Sequence, residues 1–325
     1  MVLDQIGPGG QEALLKSSVI IIGCGALGTN SANHLVRAGV GKLLILDRDL
    51  VELNNLQRQT LFAEADIGMP KAAAAAAKLE KINSEIEINF LVKDLNNTNI
   101  ETIIAGFDLV VDATDNIPTR MLINDACVKK GIPWIYAGVI QTRGMVMNIV
   151  PEGPCFRCLL PELPAAGSLP TCETAGVLNT IPAIIAAMQS TEALKILLKK
   201  DIERRLIIYD VWEQTFNAVG IKKYNRCECC VKKDFTFLKA AGNEIITVLC
   251  DNGVQIIPPT DMVLHLGKIS ANLGNTVDRL RASEFLLTFE AEGRKMTLFK
   301  DGRAIIKGTG DPGAAKSFYT RYLGL

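Results

Sequence analysis

The chain has no excess of charge of either sign: its 325 residues include 35 lysines and arginines and 35 aspartates and glutamates. Without a basic surplus, we expect no binding to nucleic acid or to an anionic membrane. A long uninterrupted apolar run is missing as well. Polar residues and a proline interrupt the longest one, residues 177–198, which predicts a core helix and not a membrane span.

The first ten residues have few apolar side chains and no basic start, so we expect no secretion signal and predict a cytoplasmic location. Internal repeats are also missing. The composition itself is that of a globular protein, with 48% apolar and 22% charged residues. Nine cysteines in a chain of this kind predict metal or thiol chemistry more strongly than disulfide bonds.

Strand-like and helix-like segments alternate through the first half of the chain. This pattern predicts an α/β fold, with a Rossmann-like, mostly parallel sheet and helices on both faces. Ligands of such sheets bind beyond the carboxyl ends of the strands. Gly23, Asp47 and Asp115 all follow predicted strands, so we expect their segments to converge on one crevice.

The pattern of the chain changes after residue 233. We predict an ATP-binding domain over residues 1–233 and a small α+β domain over residues 234–325. Within the first domain, residues 174–198 are predicted to form one long helix. Within the second, several strand-like runs occur, and residues 276–281 are predicted to be helical.

Residues 18–58 have the pattern of a nucleotide-binding βαβ unit. An apolar, strand-like run is followed by Gly23, Gly25 and Gly28, where a strand turns into a helix. Glycine allows the tight turn and lets backbone N–H groups approach a phosphate. A second strand-like run ends in Asp47, at the position of the carboxylate that binds ribose hydroxyls in such units.

The residues after Asp47 favour ATP over a nicotinamide cofactor. A dehydrogenase leaves the phosphates of its cofactor intact and needs no added arginine and lysine beyond the ribose. An enzyme that breaks a phosphoanhydride does need them, because negative charge builds up on the oxygens. The sequence supplies this arginine and this lysine in Arg58 and Lys71. The polar residues Asp49, Asn54, Asn55 and Gln59 lie in the same part of the chain. A nicotinamide dehydrogenase stays an alternative, supported by the glycine loop and Asp47 alone.

Two C-x-x-C pairs, Cys155 with Cys158 and Cys227 with Cys230, are separated by a long segment. Two such pairs complete a closed tetrahedral four-cysteine site, which zinc favours and which leaves no open position for catalysis. The predicted zinc ion is therefore structural. Cys229 is a further candidate ligand within the second pair.

Cys172 differs from the other cysteines because it lies close to a predicted helix N-terminus, where a thiol ionises more easily. It is a candidate nucleophile, although the spacing fits a partly exposed cysteine without a function equally well.

Taken together, the motifs resemble a known family. G-x-G-x-x-G, D-R-D, N-L-Q-R-Q, G-M-P-K, A-T-D-N and the two C-x-x-C pairs occur in the order and spacing of the ThiF/MoeB/HesA family, bacterial relatives of ubiquitin-activating enzymes. The resemblance covers residues 7–230. It implies an adenylyltransferase that uses ATP to activate the C-terminal glycine of a ubiquitin-like sulfur-carrier protein ending in Gly-Gly, with release of pyrophosphate. Such enzymes serve thiamine or molybdopterin synthesis, and the resemblance also implies a homodimer.

The resemblance implies roles for individual residues. The loop of Gly23, Gly25, Ala26 and Gly28 would pack against the nucleotide, and Asp47 would bind the ribose hydroxyls. No general base is needed, because the attacking carboxylate of the carrier is already an anion.

Farther along the chain, Asn55, Arg58 and Gln59 would line the triphosphate, with Arg58 neutralising its charge. Lys71 would stabilise the α-phosphate, and Asp115 would hold a magnesium ion. The predicted ATP-binding set is completed by Asp49 and Asn116.

The pair Asp115-Asn116 also fits a helix N-cap ahead of Pro118, and the two roles can coexist. Cys172 aligns with a position that forms a thioester or an acyl disulfide with the carrier in some relatives.

The chain departs from the family pattern at its start. It has no arginine before Arg37, whereas the family usually has an N-terminal arginine that reaches into the ATP site of the partner subunit. Either the start lies upstream or this arginine is missing. This departure supports a second alternative, a non-catalytic homologue that binds the carrier.

Overall fold

Short runs of valine, isoleucine and leucine form the inner strands of a large sheet. Their residues are almost fully buried, as expected of parallel strands covered by helices on both faces. The computed structural model describes residues 3–164, 172–239, 245–249, 252–258 and 262–323. The first elements are α1 (Gly7–Leu15), β1 (Ser18–Ile22), α2 (Ala26–Arg37), β2 (Lys42–Leu46), α3 (Lys71–Leu79), β3 (Glu87–Leu91), α4 (Ile100–Ile103), β4 (Leu109–Asp112), α5 (Ile117–Lys130) and β5 (Trp134–Ile140).

The sheet has eight strands in the order β3-β2-β1-β4-β5-β6-β7-β8. The four pairs among the first five strands are parallel, and the three pairs from β5 to β8 are antiparallel. The prediction of an α/β fold with a mostly parallel sheet is therefore confirmed. Further along the chain lie β6 (Arg143–Ile149), α6 (Phe156–Leu159), α7 (Cys172–Ala175), α8 (Thr180–Leu197), β7 (Leu206–Asp210), β8 (Thr215–Val219) and α9 (Thr236–Lys239).

Strand register brings three loops to one level. Ile22 at the end of β1 is paired with Leu46 of β2 and with Asp112 of β4. The residues that follow these three strands therefore emerge side by side at the carboxyl edge of the sheet.

Two apolar cores cover the two faces of the sheet. On one face, α2, α3 and α8 pack over β1, β2 and β4, and the alanine run of α3 allows close packing. On the other face, α4, α5 and α6 pack over the same strands, and the core continues into the cysteine-rich segments. Within the described residues, no helix has both the length and the apolar character to cross a bilayer.

The predicted helix over residues 174–198 is wrong at its start, because α8 begins at Thr180. Gly176 has a φ of 75°, which a continuing right-handed helix does not allow, and Val177 forms a β-bridge with Gln141. The strand β8 was not predicted, since its residues Thr215–Val219 are mostly exposed and show no apolar run.

The chain divides into two units, Met1–Ala240 and Ala241–Leu325. In the first unit, the N–H of Phe237 in α9 donates to Asp125 Oδ2 of α5 at 3.0 Å. The second unit contains β9 (Ile245–Leu249), β10 (Gly253–Ile257), α10 (Leu266–Leu273), β11 (Asp278–Ala282), β12 (Leu286–Ala291), β13 (Arg294–Phe299), β14 (Ala304–Lys307) and α11 (Pro312–Leu323).

An antiparallel sheet in the order β11-β12-β13-β14-β10-β9 forms the second unit, with its core between the sheet and α10 and α11. The helix predicted over residues 276–281 is wrong: this segment is largely the edge strand β11, which pairs with β12. The pattern of apolar and polar residues in this segment is too short to distinguish a strand from a helix unless the neighbouring strand is known.

Candidate active site

The glycine loop follows β1 and packs against the loop that follows β4. Gly23 has a φ of 97°, and a Cβ there would lie 2.5 Å from the carbonyl oxygen of Ala113. A Cβ on Gly28 would lie 2.0 Å from the carbonyl oxygen of Gly23. Gly25 and Ala26, at the start of α2, are partly exposed, and among the described residues no side chain caps this helix. The first N–H groups of α2 therefore have no side-chain acceptor at the cap position and suit a phosphate.

Replacing Gly28 with alanine is expected to displace the glycine loop, because the added Cβ would meet a backbone oxygen that no rotamer change can move. We expect nucleotide affinity to fall at least about tenfold, with a lower melting temperature. Gly267→Ala is the matched control, since nothing in the described part of the chain lies within 4 Å of a Cβ there. Isothermal calorimetry with ATP measures the difference, and equal affinities for the two variants would contradict the expected role of the loop.

Asp47 is buried beneath the glycine loop. Its carboxylate accepts hydrogen bonds from the backbone N–H groups of Cys24, at 2.6 Å, and Asp49, at 2.7 Å. Burial raises the pKa of Asp47, and the nearby Lys71 ammonium counteracts this rise. The carboxylate is thus fixed in place at the level where β2 ends.

Lys71, the first residue of α3, is a buried lysine next to two carboxylates. Its Nζ lies 3.2 Å from Asp49 Oδ2, and its backbone N–H donates to the carbonyl of Asp49 at 2.9 Å. Burial opposes the charge of the ammonium, but Asp47 and Asp49 outweigh this effect and raise the pKa of Lys71. The structure therefore brings Asp47, Asp49 and Lys71 together as one charged cluster.

Asn55 and Gln59 form a buried amide pair after a 3-10 turn, and Gln59 Nε2 donates to Asn55 Oδ1 at 2.8 Å. Gln59 Oε1 is buried and has no hydrogen-bond partner among the described residues. Arg58 lies outside this pair: it is partly exposed, and its Nη1 donates to the carbonyl of Asn54 at 3.2 Å. Among the described contacts, none joins Arg58 to Lys71 or to Asp115. The convergence of these three side chains therefore stays a prediction.

Asp115 and Asn116 are the last two residues of the loop between β4 and α5. Asp115 is exposed, and its Oδ1 accepts from Asn116 Nδ2 at 3.3 Å. Asn116 is the N-cap of α5, because its side chain accepts the N–H of Thr119 at 2.9 Å. The capping role expected for this pair is therefore carried by Asn116, which leaves the Asp115 carboxylate directed at solvent.

A buried ion pair that the sequence analysis missed holds this loop. Arg120 Nε donates to Asp112 Oδ2 at 3.0 Å, and Arg120 Nη2 donates to the carbonyls of Thr114, at 2.5 Å, and Ala137, at 2.9 Å. Gln189 of α8 adds a bond from its Nε2 to the carbonyl of Asp112 at 2.7 Å. The available signal was Asp112, a charged residue at the end of an apolar run. Its partner Arg120 lies eight residues later in the next helix, so the sequence did not indicate that the two side chains meet.

The four paired cysteines form a compact cluster. The Sγ atoms of Cys155, Cys158, Cys227 and Cys230 all lie within 4.8 Å of one another. Cys155 Sγ is 3.6 Å from Cys227 Sγ, and Cys158 Sγ is 3.5 Å from Cys230 Sγ. Zinc bound at about 2.3 Å from each of four sulfurs would place them about 3.8 Å apart, so the cluster fits such an ion.

Cys229 lies beside this cluster. It is fully buried, and its sulfur accepts from Asn124 Nδ2 at 3.2 Å. Asn124 also accepts the N–H of Phe156 through its Oδ1, so it links the segments that carry the two cysteine pairs. Cys172 begins α7, but its side chain lies outside the described residues, and its role as a nucleophile stays a prediction.

Comparison with known proteins adds to this geometry. Residues 1–231 match the ThiF family. The "Sulfur carrier protein ThiS adenylyltransferase" of Bacillus subtilis is 41% identical over 325 residues, which cover 98% of this chain and 96% of that protein. The "Sulfur carrier protein adenylyltransferase" of Thermus thermophilus is 39% identical, over 71% of this chain and 88% of that protein. The similarity to the first of these relatives thus extends through both units of the chain.

A solved structure shares the fold. The crystal structure of MccB from E. coli with ATP superimposes with a TM-score of 0.60 over 68% of each chain, at 23% sequence identity. This likeness supports the arrangement of strands and helices described above.

Proposed function

The chain belongs to the ThiF family, and from that premise we propose that it is an ATP-dependent adenylyltransferase. Its substrate would be the C-terminal glycine of a ubiquitin-like sulfur-carrier protein ending in Gly-Gly. The products are the carrier acyl-adenylate and pyrophosphate. The two relatives named above are adenylyltransferases of sulfur-carrier proteins, which favours this reaction over the nicotinamide dehydrogenase considered from the sequence.

The observation that carries the proposal is the buried Lys71 ammonium beside Asp47 and Asp49. Hydride transfer between carbon atoms has no use for a buried cation next to the ribose carboxylate. Attack on an α-phosphorus does, because negative charge grows on the phosphate oxygens in the transition state. A fixed ammonium in a water-poor site stabilises that charge without reorganisation.

In this proposal each segment has one task. Asp47 accepts hydrogen bonds from the ribose hydroxyls, and the N–H groups at the start of α2 bind phosphate oxygens. Lys71 neutralises the α-phosphate, while Arg58 and the amides of Asn55 and Gln59 line the triphosphate. The carboxylate of the carrier glycine attacks the α-phosphorus, a new phosphorus–oxygen bond forms, and the bond to pyrophosphate breaks.

Two metal ions complete the proposal. Asp115 suits Mg²⁺, because its exposed carboxylate is the oxygen ligand that this ion prefers, and the ion would reduce repulsion between the phosphates and the entering carboxylate. The cluster of Cys155, Cys158, Cys227 and Cys230 suits a structural Zn²⁺. A homodimer, a cytoplasmic location and a task in thiamine or molybdopterin synthesis belong to the same proposal.

Asp115→Ala tests the proposed reaction. With a Gly-Gly carrier present, the wild-type chain is expected to exchange pyrophosphate into ATP, and the variant is expected to lose at least about a hundredfold of this rate. The loss follows because the variant lacks the carboxylate that we assign to magnesium beside the phosphates. Exchange of labelled pyrophosphate into ATP measures the rate directly.

Asp201→Ala, which changes an exposed aspartate before β7, is the matched control and is expected to keep the full rate. Exchange that survives in Asp115→Ala would contradict the assigned role. Binding of the carrier by the wild-type chain without any pyrophosphate exchange would instead favour the non-catalytic homologue.

A further inference from the structure

Arg48 stands between the two aspartates of the D-R-D motif, at the end of β2. Its Nη1 donates to Asp94 Oδ1 at 2.7 Å, and its Nε lies 3.7 Å from Asp49 Oδ1. The Arg48 side chain keeps 41% of its surface exposed, whereas that of Asp94 keeps 13%. Asp94 follows β3, so the guanidinium bridges the loops after two neighbouring strands.

The position of Arg48 is beyond the proposed ribose site. Asp47 faces the glycine loop through the N–H of Cys24, and Lys71 is buried and pairs with Asp49. Arg48 lies on the exposed side of the same turn. Burial opposes the charge of Arg48, but Asp94, Asp49 and, with the smallest influence of the three, Asp115 raise the pKa of Arg48. A nucleotide whose ribose lies on Asp47 and whose phosphates lie on the glycine loop would extend its base in the direction of Arg48.

The charges around Arg48 decide which part of a nucleotide it suits. Two cations, Arg48 and Lys71, share this corner with four carboxylates, so the positive charge of Arg48 is already balanced. The carboxylates are Asp47, Asp49, Asp94 and Asp115. Unlike the buried Lys71, Arg48 keeps 41% of its side-chain surface exposed, so solvent as well as the carboxylates weakens its attraction for a phosphate. A guanidinium whose edge is held by carboxylates can also stack through its plane on aromatic rings and bases.

We propose that Arg48 contacts the adenine base of ATP, with the guanidinium plane against the purine ring and its edge held by Asp94 and Asp49. This inference rests on the proposed ATP site. Arg48 would thereby contribute to nucleotide affinity through the base and not through the phosphates. The contact needs a flat side chain more than it needs a charge, and this distinction is testable.

Three variants distinguish a contact with the base from a contact with the phosphates: Arg48→Ala, Arg48→Phe and Arg48→Lys. We expect Arg48→Ala and Arg48→Lys to bind both ATP and AMP about tenfold more weakly than the wild type. Arg48→Phe keeps a flat face and is expected to stay within about threefold. Inorganic triphosphate, measured as a competitor of ATP, is expected to bind all four proteins alike.

Calorimetry and competition on the full chain provide these constants, with Arg204→Ala, at an exposed arginine before β7, as the control. Circular dichroism confirms that each variant is folded, and Arg48→Phe and Arg48→Lys test the inference even if Arg48→Ala unfolds. If Arg48→Lys keeps the affinity for ATP and Arg48→Phe loses it, Arg48 contacts the phosphates and the inference is overturned. Weaker binding of inorganic triphosphate by the Arg48 variants would lead to the same conclusion. Equal affinities in all variants would overturn it too, whereas a wild-type chain that binds no ATP would overturn the proposed function itself.

Discussion

Replacing Arg120 with methionine is expected to lower the free energy of unfolding by about 3–5 kcal/mol. Arg120 is buried, and its Nε donates to the carboxylate of Asp112, which is fully buried at the end of β4. Methionine fills similar space but leaves this carboxylate in the core without its cation. Urea unfolding followed by circular dichroism measures the change.

The same variant is expected to need at least about tenfold more magnesium for half-maximal pyrophosphate exchange. The reason is that Arg120 Nη2 also donates to the carbonyl of Thr114, next to Asp115, and to that of Ala137. Without these bonds the loop that carries Asp115 loses its fixed position. Arg120 is thus a positioning residue, and the magnesium dependence distinguishes this role from a loss of folded protein alone.

Arg37→Met is the matched control, because Arg37 lies at the exposed end of α2 and bonds Asn33. Its free energy of unfolding is expected to change by no more than about 0.5 kcal/mol. Combining Asp112→Asn with Arg120→Met is expected to recover part of the loss, since the charge of the buried carboxylate is then gone. A single Arg120→Met variant as stable as Arg37→Met would show that the ion pair contributes nothing to the fold.

Cys155→Ser is expected to abolish the zinc binding proposed for the four-cysteine cluster and to lower the melting temperature by at least about 10 °C. The four-cysteine cluster joins the segment around α6 to the segment before α9, and both pack on α5. A hydroxyl in place of one thiolate removes a ligand from a closed site, so the ion no longer links these segments. Differential scanning calorimetry and metal analysis of the purified chain measure both effects.

Cys229→Ser is the matched control, because Cys229 is a buried cysteine of the same segment whose sulfur accepts from Asn124. This variant is expected to keep one zinc ion per chain and to lose much less thermal stability. Zinc lost from Cys229→Ser would mean that Cys229 replaces Cys227 or Cys230 as a ligand, the exchange that the sequence leaves open, and zinc retained in Cys155→Ser would contradict the four-cysteine site.

Local patterns were sufficient for much of the fold. The inner strands β1, β2 and β4 are continuous apolar runs, and such runs between helix-like segments predict a buried parallel sheet. The glycine loop was predictable because Gly23 and Gly28 are positions where any Cβ would meet backbone atoms. The cysteine cluster was predictable because two C-x-x-C pairs together supply the four thiols of a closed tetrahedral metal site.

Other elements depended on neighbours that are distant in the sequence. Residues 276–281 form a strand because β12 lies beside them, and α8 starts at Thr180 because Val177 bridges to Gln141. The strand β8 exists as a partner of β7 and carries little apolar signal of its own. In these segments hydrogen bonding to a neighbouring strand outweighs a weak local preference.

The sequence by itself determined the type of fold, the glycine loop, the cysteine pairs and the family, since each depends on residue types at short, regular spacings. Only the tertiary structure decided which charges meet: Lys71 with Asp47 and Asp49, Arg120 with Asp112, and Arg48 with Asp94. The physical reason is that an ionic contact depends on distance in space. The strand register that brings these loops to one level is a property of the whole sheet.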